Sequence, residues 1–333
     1  MPGRKVGAGL VLAAIVAGLT ACGGSGDAGG GVRLSLVAYS TPQAAYEEII
    51  EEYRKTPEGE NVTFTKSFGS SGEQTRAVAA GLEADIVALS LEPDMTELVE
   101  AGLVAETWNS GPHKGMVTDS VVVLATRKGN PKNVQTWDDL VEPGIEVITA
   151  NPFTSGGARW NVLAGYGAKS DGGANRKAGV DYLYSLFKNV PVQDSSARKS
   201  LQTFSGGKGD VLLAYENEAI FARQEKQPID YTVPESTILI ENPVAVTKNS
   251  EHAAEAEAFL KFLRGEKAQE IFVENGYRPV VEGVPGAEGF PAPPGLFTIA
   301  DLGGWEKVST EFFDPKDGLM VGVEKSVGVS TEG

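Results

Sequence analysis

Four short stretches of the sequence carry serine, threonine or glycine residues where a strand is expected to give way to a helix. A serine at such a junction can be a nucleophile, and glycines there can cradle a phosphate or simply allow a turn. The first N–H groups of a helix are unpaired and carry the positive end of its dipole, so several such junctions can also converge on one anion. The stretches are "AYSTPQ" (38–43), "SFGSSGEQ" (67–74), "NPFTSGGARW" (151–160) and "QDSSARKS" (193–200).

The catalytic alternative needs a base, which is usually a histidine oriented by an acid. The chain has only His113, in the loop "SGPHKG", and His252, at a helix start, and neither lies in a pattern that suggests catalysis. The sequence "SGGAR" is not G-x-S-x-G, no G-K-[ST] follows the glycines, and no dinucleotide fingerprint or His/Cys metal cluster is present. We therefore expect no catalytic residue, metal or cofactor, and an extracytoplasmic esterase or phosphatase is disfavoured.

Strands and helices alternate along the chain with the spacing of a parallel, doubly wound sheet. The pattern starts at the strand "VRLSLVAYS" (32–40) and restarts after the strand at 120–131, which gives two similar α/β halves. In open α/β sheets, ligands bind beyond the carboxyl ends of the strands, and two facing sheets would leave a cleft between them. The region 251–276 is predicted to be strongly helical, and the C-terminal stretch is expected to form loops with a short helix near "GWEKVSTEFF".

The first 21 residues read as a secretory leader. Arg4 and Lys5 precede a short apolar stretch (6–21), and Leu19-Thr20-Ala21-Cys22 resembles a bacterial lipobox, in which the thiol becomes the lipid attachment point. A glycine-rich tether (22–31) follows, and Cys22 is the only cysteine. We expect a lipid-anchored protein outside the cytoplasmic membrane, in the cell envelope or periplasm.

The chain is acidic, with a formal net charge of -16. Removal of the leader takes away two basic residues and no acid, which would leave -18. The electrostatic field of such an acidic protein repels nucleic acid and anionic membrane surfaces, so neither is an expected ligand.

Several motifs resemble the sulfate-binding proteins of bacterial ABC importers. The resemblance covers about residues 33–315 and rests on the motifs "FGSSGEQ", "TRKGNPKN", "NPFTSGGARWN", "DSSAR", "GDVLLAYENEA", "GYRP" and "FTIADLGGWEK". It implies a two-lobed periplasmic-binding-protein fold of the second type, each lobe being a doubly wound sheet flanked by helices. Lobe 1 would comprise residues 32–119 and 244–333, and lobe 2 residues 120–243, with crossing strands between them.

The resemblance also implies which residues hold the anion. Ser40 falls where the family usually has aspartate, and its main-chain N–H would be the contact. The family's indole donor falls at Tyr215, a departure, because a phenol can donate from a different reach and can also accept. The expected ligand residues are Ser40, Ser71, Ser155, Gly156, Gly157, Ala197 and Tyr215; Ser70 and one arginine, Arg198 or Arg159, would support the donors without touching the anion, with Arg198 preferred.

The expected function is to capture sulfate and deliver it to the membrane subunits of an ABC permease, where a separate ATPase drives import. The protein itself is expected to be a monomer and not an enzyme. A site made of donors suits sulfate, which carries no proton at neutral pH, whereas a protonated phosphate would leave an O–H unpaired. Molybdate or tungstate remains an alternative because their receptors also use serines and a tyrosine. Thiosulfate is a further alternative, against which Gly157 argues mildly, since the branch that prefers thiosulfate tends to carry asparagine there.

Overall fold

The computed structural model describes residues 31–329. The predicted leader, the lipidation site Cys22 and the predicted tether up to residue 30 lie outside these residues. No helix within 31–329 is both long enough and apolar enough to cross a membrane.

The N-terminal part of the chain alternates strand and helix, as the sequence predicted. A strand with its apolar residues inside is followed each time by a helix that packs on it. The elements are β1 (Val32–Tyr39), α1 (Gln43–Tyr53), β2 (Val62–Gly69), α2 (Ser71–Ala79), β3 (Ile86–Ala88), α3 (Glu92–Glu100) and the long strand β4 (Met116–Arg127).

The middle of the chain repeats the pattern. Its elements are β5 (Val147–Ala150), α4 (Gly156–Lys169), α5 (Arg176–Lys188), β6 (Val192–Asp194), α6 (Ala197–Ser205), β7 (Val211–Tyr215), α7 (Glu216–Gln224), β8 (Ile229–Thr232) and the second long strand β9 (Ser236–Val246). The remaining elements are α8 (Ala253–Leu263), α9 (Glu266–Glu274), β10 (Arg278–Pro279), β11 (Gly295–Phe297), α10 (Trp305–Val308) and α11 (Leu319–Ser326).

The main sheet has the strand order β2-β1-β3-β9-β4-β7-β5-β6. Strands β2, β1 and β3 are parallel to one another and form the first half of the sheet, and β7, β5 and β6 are parallel and form the second half. Strands β4 and β9 lie between the halves and pair antiparallel with each other and with their outer neighbours. The predicted parallel sheets are therefore present, and two crossing strands connect them.

Separate apolar cores lie on the two halves. One core packs α1, α8 and α9 against the first half, with Tyr46, Ile49 and Phe259 fully buried. The largest core surrounds Trp160 of α4 on the second half and includes apolar residues from Phe297 to Val323. The C-terminal segment therefore packs on the second half, although it follows helices of the first half in the chain.

The C-terminal half of the chain needs a local correction. The predicted helical region 251–276 is broken between α8 and α9, where Gly265 caps the second helix in an extended conformation. The predicted helix near Trp305 is present as α10, followed by a turn of π-helix, and α11 was not predicted.

The crossing strands place two carboxylates opposite each other. Asp119 of β4 is paired with Glu241 of β9, and Arg278 of β10 lies opposite Asp119 on its other side. The Arg278 guanidinium is already engaged by Glu216, with 2.9 Å between Nε and Oε2. Burial, then repulsion from Glu241, raises the pKa of Asp119 to about 7, and Arg278 offsets only a part of this rise.

We expect Asp119→Asn to stabilise the protein, and more so at pH 8 than at pH 5. The folded-state pKa lies above the unfolded value of about 3.9, so Asp119 lowers the free energy of unfolding progressively as pH rises between these values. Asparagine removes the charge and keeps the shape, and the extra gain at pH 8 should be about 1–2 kcal/mol. Urea unfolding at pH 5 and pH 8 measures this gain in the free energy of unfolding, and Asp317→Asn, at an exposed position, is the control. An equal gain at both pH values would contradict the raised pKa of Asp119.

Candidate functional site

A small cavity lies where the carboxyl ends of the parallel strands in the two halves of the sheet face each other. Its walls lie close together, and the space between them that a water-sized sphere can reach is about 10 Å³. Every residue of its wall is a serine, threonine, tyrosine, glycine or alanine: Tyr39, Ser40, Thr41, Ser70, Ser71, Ser90, Ser155, Gly157, Ala197 and Tyr215. No acidic or basic side chain lines it, so neutral dipoles determine what it can bind.

Three helix N-termini meet at this cavity. Helix α2 begins just after Ser70, α4 just after Ser155 and α6 just after Ser196, and each of these serines has extended backbone angles. The Ser196 hydroxyl caps its own helix by accepting from the Lys199 N–H. The first N–H groups of a helix have no intrahelical acceptor, so all three helices present donors and the positive end of the dipole to the cavity.

Four hydroxyls of the wall are buried and lack a hydrogen-bond partner within residues 31–329. They are the hydroxyls of Tyr39, Ser70, Ser90 and Tyr215. A buried hydroxyl without a partner costs about 1–3 kcal/mol, and native proteins rarely leave several together. The Tyr215 phenol has a pKa far above its ordinary value because it is fully buried, so it stays protonated and can donate.

The structure brings together nearly all of the residues that the sequence singled out. Six of the expected ligand residues line the cavity, and so does Ser70, which was expected to act indirectly. Gly156 is the exception, because it lies beside the cavity and faces residues of the first half. A Cβ on Gly156 would lie 2.0 Å from the Ser90 Oγ and 2.6 Å from the Leu91 Cδ2.

Of the two candidate arginines, Arg198 reaches the cavity wall. Its guanidinium makes two hydrogen bonds to the Glu218 carboxylate, of 2.7 and 3.1 Å, and donates to the Thr41 carbonyl oxygen at 2.9 Å. It also lies 4.1 Å from the ring centre of Phe221. Arg198 thus fixes the backbone beside Ser40 from the opposite half of the sheet.

The other arginine has a different environment. Arg159 donates from Nε to the Pro152 carbonyl oxygen and lies 5.2 Å from the ring centre of Phe313. Burial raises the pKa of the Asp94 carboxyl, and the charge of Arg159 opposes this rise. Arg159 therefore acts on a buried carboxylate near Gly156 and is not part of the cavity wall.

Sequence reasoning missed four groups at the site. Tyr39 and Thr41 lie within the stretch "AYSTPQ", where only Ser40 was chosen, and Ser90 ends the predicted strand "ADIVALS", so the rule about strand ends could have found all three. Glu218 gave no signal, because nothing in "YENEA" shows that its carboxylate is buried against an arginine.

The histidines lie elsewhere on the surface. His113 and His252 line two other depressions that share no residue with the cavity. No cluster of three potential metal ligands occurs in the part of the chain that the structure describes.

Comparison with known proteins shows the family of the chain. Residues 34–278 match the family of bacterial extracellular solute-binding proteins. The "Sulfate-binding protein" of Synechococcus elongatus is 44% identical over 316 residues, which cover 90% of each chain. That of Synechocystis sp. is 41% identical over 294 residues, covering 85% of this chain and 84% of the relative.

Among solved structures, the sulfate-binding protein of Mycobacterium tuberculosis is similar, with a TM-score of 0.83 and 43% identity. The match covers 85% of this chain and 100% of that one. The expected periplasmic-binding-protein fold and the resemblance stated from the motifs are thereby confirmed. The chain belongs to the bacterial extracellular solute-binding proteins and, within them, to the family of the sulfate-binding proteins.

Proposed function

We propose that this protein captures sulfate outside the cytoplasmic membrane and delivers it to an ABC importer. The observation that carries the proposal is the small cavity whose wall consists of helix N-termini and hydroxyl groups, without a charged side chain. The proteins of this family are receptors and not enzymes, and the proposed role needs no cofactor.

A wall of donors selects for sulfate. Sulfate is a dianion without a proton, so each of its oxygens can accept from N–H and O–H groups. Hydrogenphosphate brings an O–H of its own, which stays unpaired wherever it faces a backbone N–H, at a cost that discriminates strongly. Preorganised dipoles at short range also explain how a chain of net charge -16 can hold an anion, because the distant surface charges are screened by salt.

The proposed ligand residues are those expected from the sequence, with one changed role. Ser155 and Tyr215 would offer hydroxyls, and Ser40, Ser71, Gly157 and Ala197 would offer backbone N–H groups. Gly156, predicted to donate from its backbone, is proposed here mainly as the residue that lets the two halves approach. Ser70 joins the wall, and Arg198 holds the Thr41 backbone in place.

We propose that the two sheet halves are lobes that close around the anion. Their bounds are those expected from the sequence, residues 32–119 with 244–333 and residues 120–243, except that the segment from Phe297 to Val323 joins the second lobe because it packs on the core around Trp160. The Trp160 indole N–H donates to the Ser90 carbonyl oxygen at 2.8 Å, which is a contact between the lobes. The permease would recognise this closed arrangement.

We further propose that Cys22 carries a lipid and that the protein is a monomer tethered to the membrane by residues 22–31. The support is the lipobox at Leu19-Thr20-Ala21-Cys22 and the glycine-rich stretch after it. Mass spectrometry of the membrane-extracted protein and of Cys22→Ser would test the modification.

Calorimetric titration of the ligand-stripped protein tests the proposed ligand. We expect sulfate to saturate one site per chain, with weaker binding of thiosulfate and molybdate and no heat with phosphate. Tyr215, which stands where the resemblance places an indole, makes molybdate or tungstate the second candidate, because receptors for these anions also use serines and a tyrosine. Tight molybdate binding without sulfate heat would show that this candidate is the ligand.

A further inference from the structure

Ser90 lies at the point where the cavity, the crossing strands and the second lobe meet. It follows strand β3 and precedes helix α3, and only 1% of it is exposed. Its N–H donates to the Ser71 Oγ at 2.9 Å. Its carbonyl oxygen accepts from the indole of Trp160 at 2.8 Å and from the amide of Asn242 at 3.0 Å. The backbone of Ser90 is thus fixed by three hydrogen bonds to three different elements.

The side chain of Ser90 is the one part of the residue that is left free. Its Oγ faces the cavity and has no hydrogen-bond partner among the described residues. It lies near the Tyr215 phenol, whose hydroxyl also lacks a partner. It also occupies the space over Gly156, at 2.0 Å from where a side chain would begin, so the glycine is what allows it to reach this position.

We propose that the Ser90 hydroxyl is a further donor to the bound oxyanion, contributed by the first lobe. The inference rests on the proposed function, because it concerns the same cavity. A hydroxyl that is held rigidly and buried without a partner lacks an acceptor in the ligand-free protein, and the N–H groups and hydroxyls around it can all donate to one shared acceptor. An oxyanion supplies that acceptor, and Ser90 and Tyr215 can then both donate to it.

The test compares Ser90→Ala with Ser200→Ala. Ser200, on α6, is a matched control: it is also 1% exposed, its Oγ also lacks a partner within residues 31–329, and it does not line the cavity. Sulfate binding is measured by calorimetry, and melting temperature is measured with and without sulfate. A hydrogen bond to a charged group is lost in Ser90→Ala, so we expect its Kd to rise about 10-fold or more, and Ser200→Ala to stay within about 2-fold of wild type.

The ligand-free melting temperature separates a binding role from a structural one. Ser90→Ala removes an unpaired hydroxyl and no hydrogen bond of the folded chain, so its ligand-free melting temperature should equal or exceed that of wild type, while the upward shift caused by sulfate becomes smaller. Unchanged affinity in Ser90→Ala, with wild type binding sulfate, would refute this inference and leave the proposed function intact. A loss of affinity matched by an equal loss of ligand-free stability would also refute it. If wild-type protein bound no oxyanion, both this inference and the proposed function would be wrong.

Discussion

Gly156→Ala should abolish tight sulfate binding and leave the ligand-free protein folded. The new methyl group would lie 2.0 Å from the Ser90 Oγ, 2.6 Å from the Leu91 Cδ2 and 3.2 Å from an oxygen of Asp94, all on the other lobe. Real Cβ atoms do not approach within 3.0 Å of another heavy atom, and the backbone of one of these neighbours, Ser90, is fixed by hydrogen bonds. The lobes would have to stay apart by an ångström or more, and the donors of the two halves could not reach one anion together.

We expect the Kd for sulfate to rise more than 100-fold, because several charge-assisted hydrogen bonds are lost at once. The clash is between the lobes and not within one core, so the ligand-free melting temperature should change by only a few degrees. Calorimetry and thermal unfolding measure the two quantities, and small-angle scattering with sulfate should show a more open particle than wild type.

Gly157→Ala is the comparison within the same helix. Its Cβ would lie 3.4 Å from the Ala197 Cβ and 3.5 Å from the nearest atoms of Ser155 and Tyr215, which is ordinary contact, so a smaller loss of affinity is expected. Gly289→Ala, in open space, should change neither quantity. Gly156→Ala protein that binds sulfate as tightly as wild type would show that the closed arrangement is not the binding form.

Part of the site could be predicted from the sequence, because the pattern that marks a helix N-terminus is local. Hydroxyls and glycines at strand ends mark helix N-termini wherever they occur, and Ser71, Ser155 and Ala197 all reach one cavity through that rule. Contacts between distant segments follow no such rule. The role of Gly156 depends on Ser90, which is far away in sequence, and the need for glycine there cannot be seen without the opposite lobe.

In the fold, too, local patterns could be predicted and contacts between distant segments could not. Alternating strands and helices were predictable from periodicity, and so was the restart of the pattern in the middle of the chain. The break at Gly265 and the helix α11 were not, because the first region reads as one long amphipathic stretch and the second is short and rich in glycine and valine. The packing of the C-terminal segment on the core around Trp160 depends on tertiary contacts alone.

Arg198→Met should destabilise the protein strongly, and more at pH 8 than at pH 5. Glu218 is 1% exposed and the side chain of Arg198 is 19% exposed, so the carboxylate depends on this one cation. Removing one partner of a buried ion pair typically costs about 3–5 kcal/mol. Burial already raises the pKa of Glu218, and Arg198 is the charge that opposes the rise, so the variant should hold a proton on Glu218 to higher pH.

The direction with pH follows from that proton. A carboxyl whose folded-state pKa lies above its unfolded value binds more protons in the folded state, so the free energy of unfolding falls as pH rises from about 4.3 to the folded-state pKa. Loss of Arg198 removes the charge that opposes the rise in the pKa of Glu218, so the pH interval over which the free energy of unfolding falls becomes wider. Urea unfolding across pH 5–8 should therefore give a steeper decline for Arg198→Met than for wild type, and parallel curves would contradict the assigned pairing.

The double variant Arg198→Met/Glu218→Gln separates stability from binding. Glutamine removes the unpaired charge, so much of the stability at pH 8 should return. The hydrogen bond from Arg198 to the Thr41 carbonyl oxygen is still missing, and the backbone beside Ser40 is then free to move. Sulfate affinity should therefore stay about 10-fold or more below wild type in the double variant. Full recovery of affinity along with stability would mean that Arg198 serves the ion pair alone and does not position the donors of the first lobe.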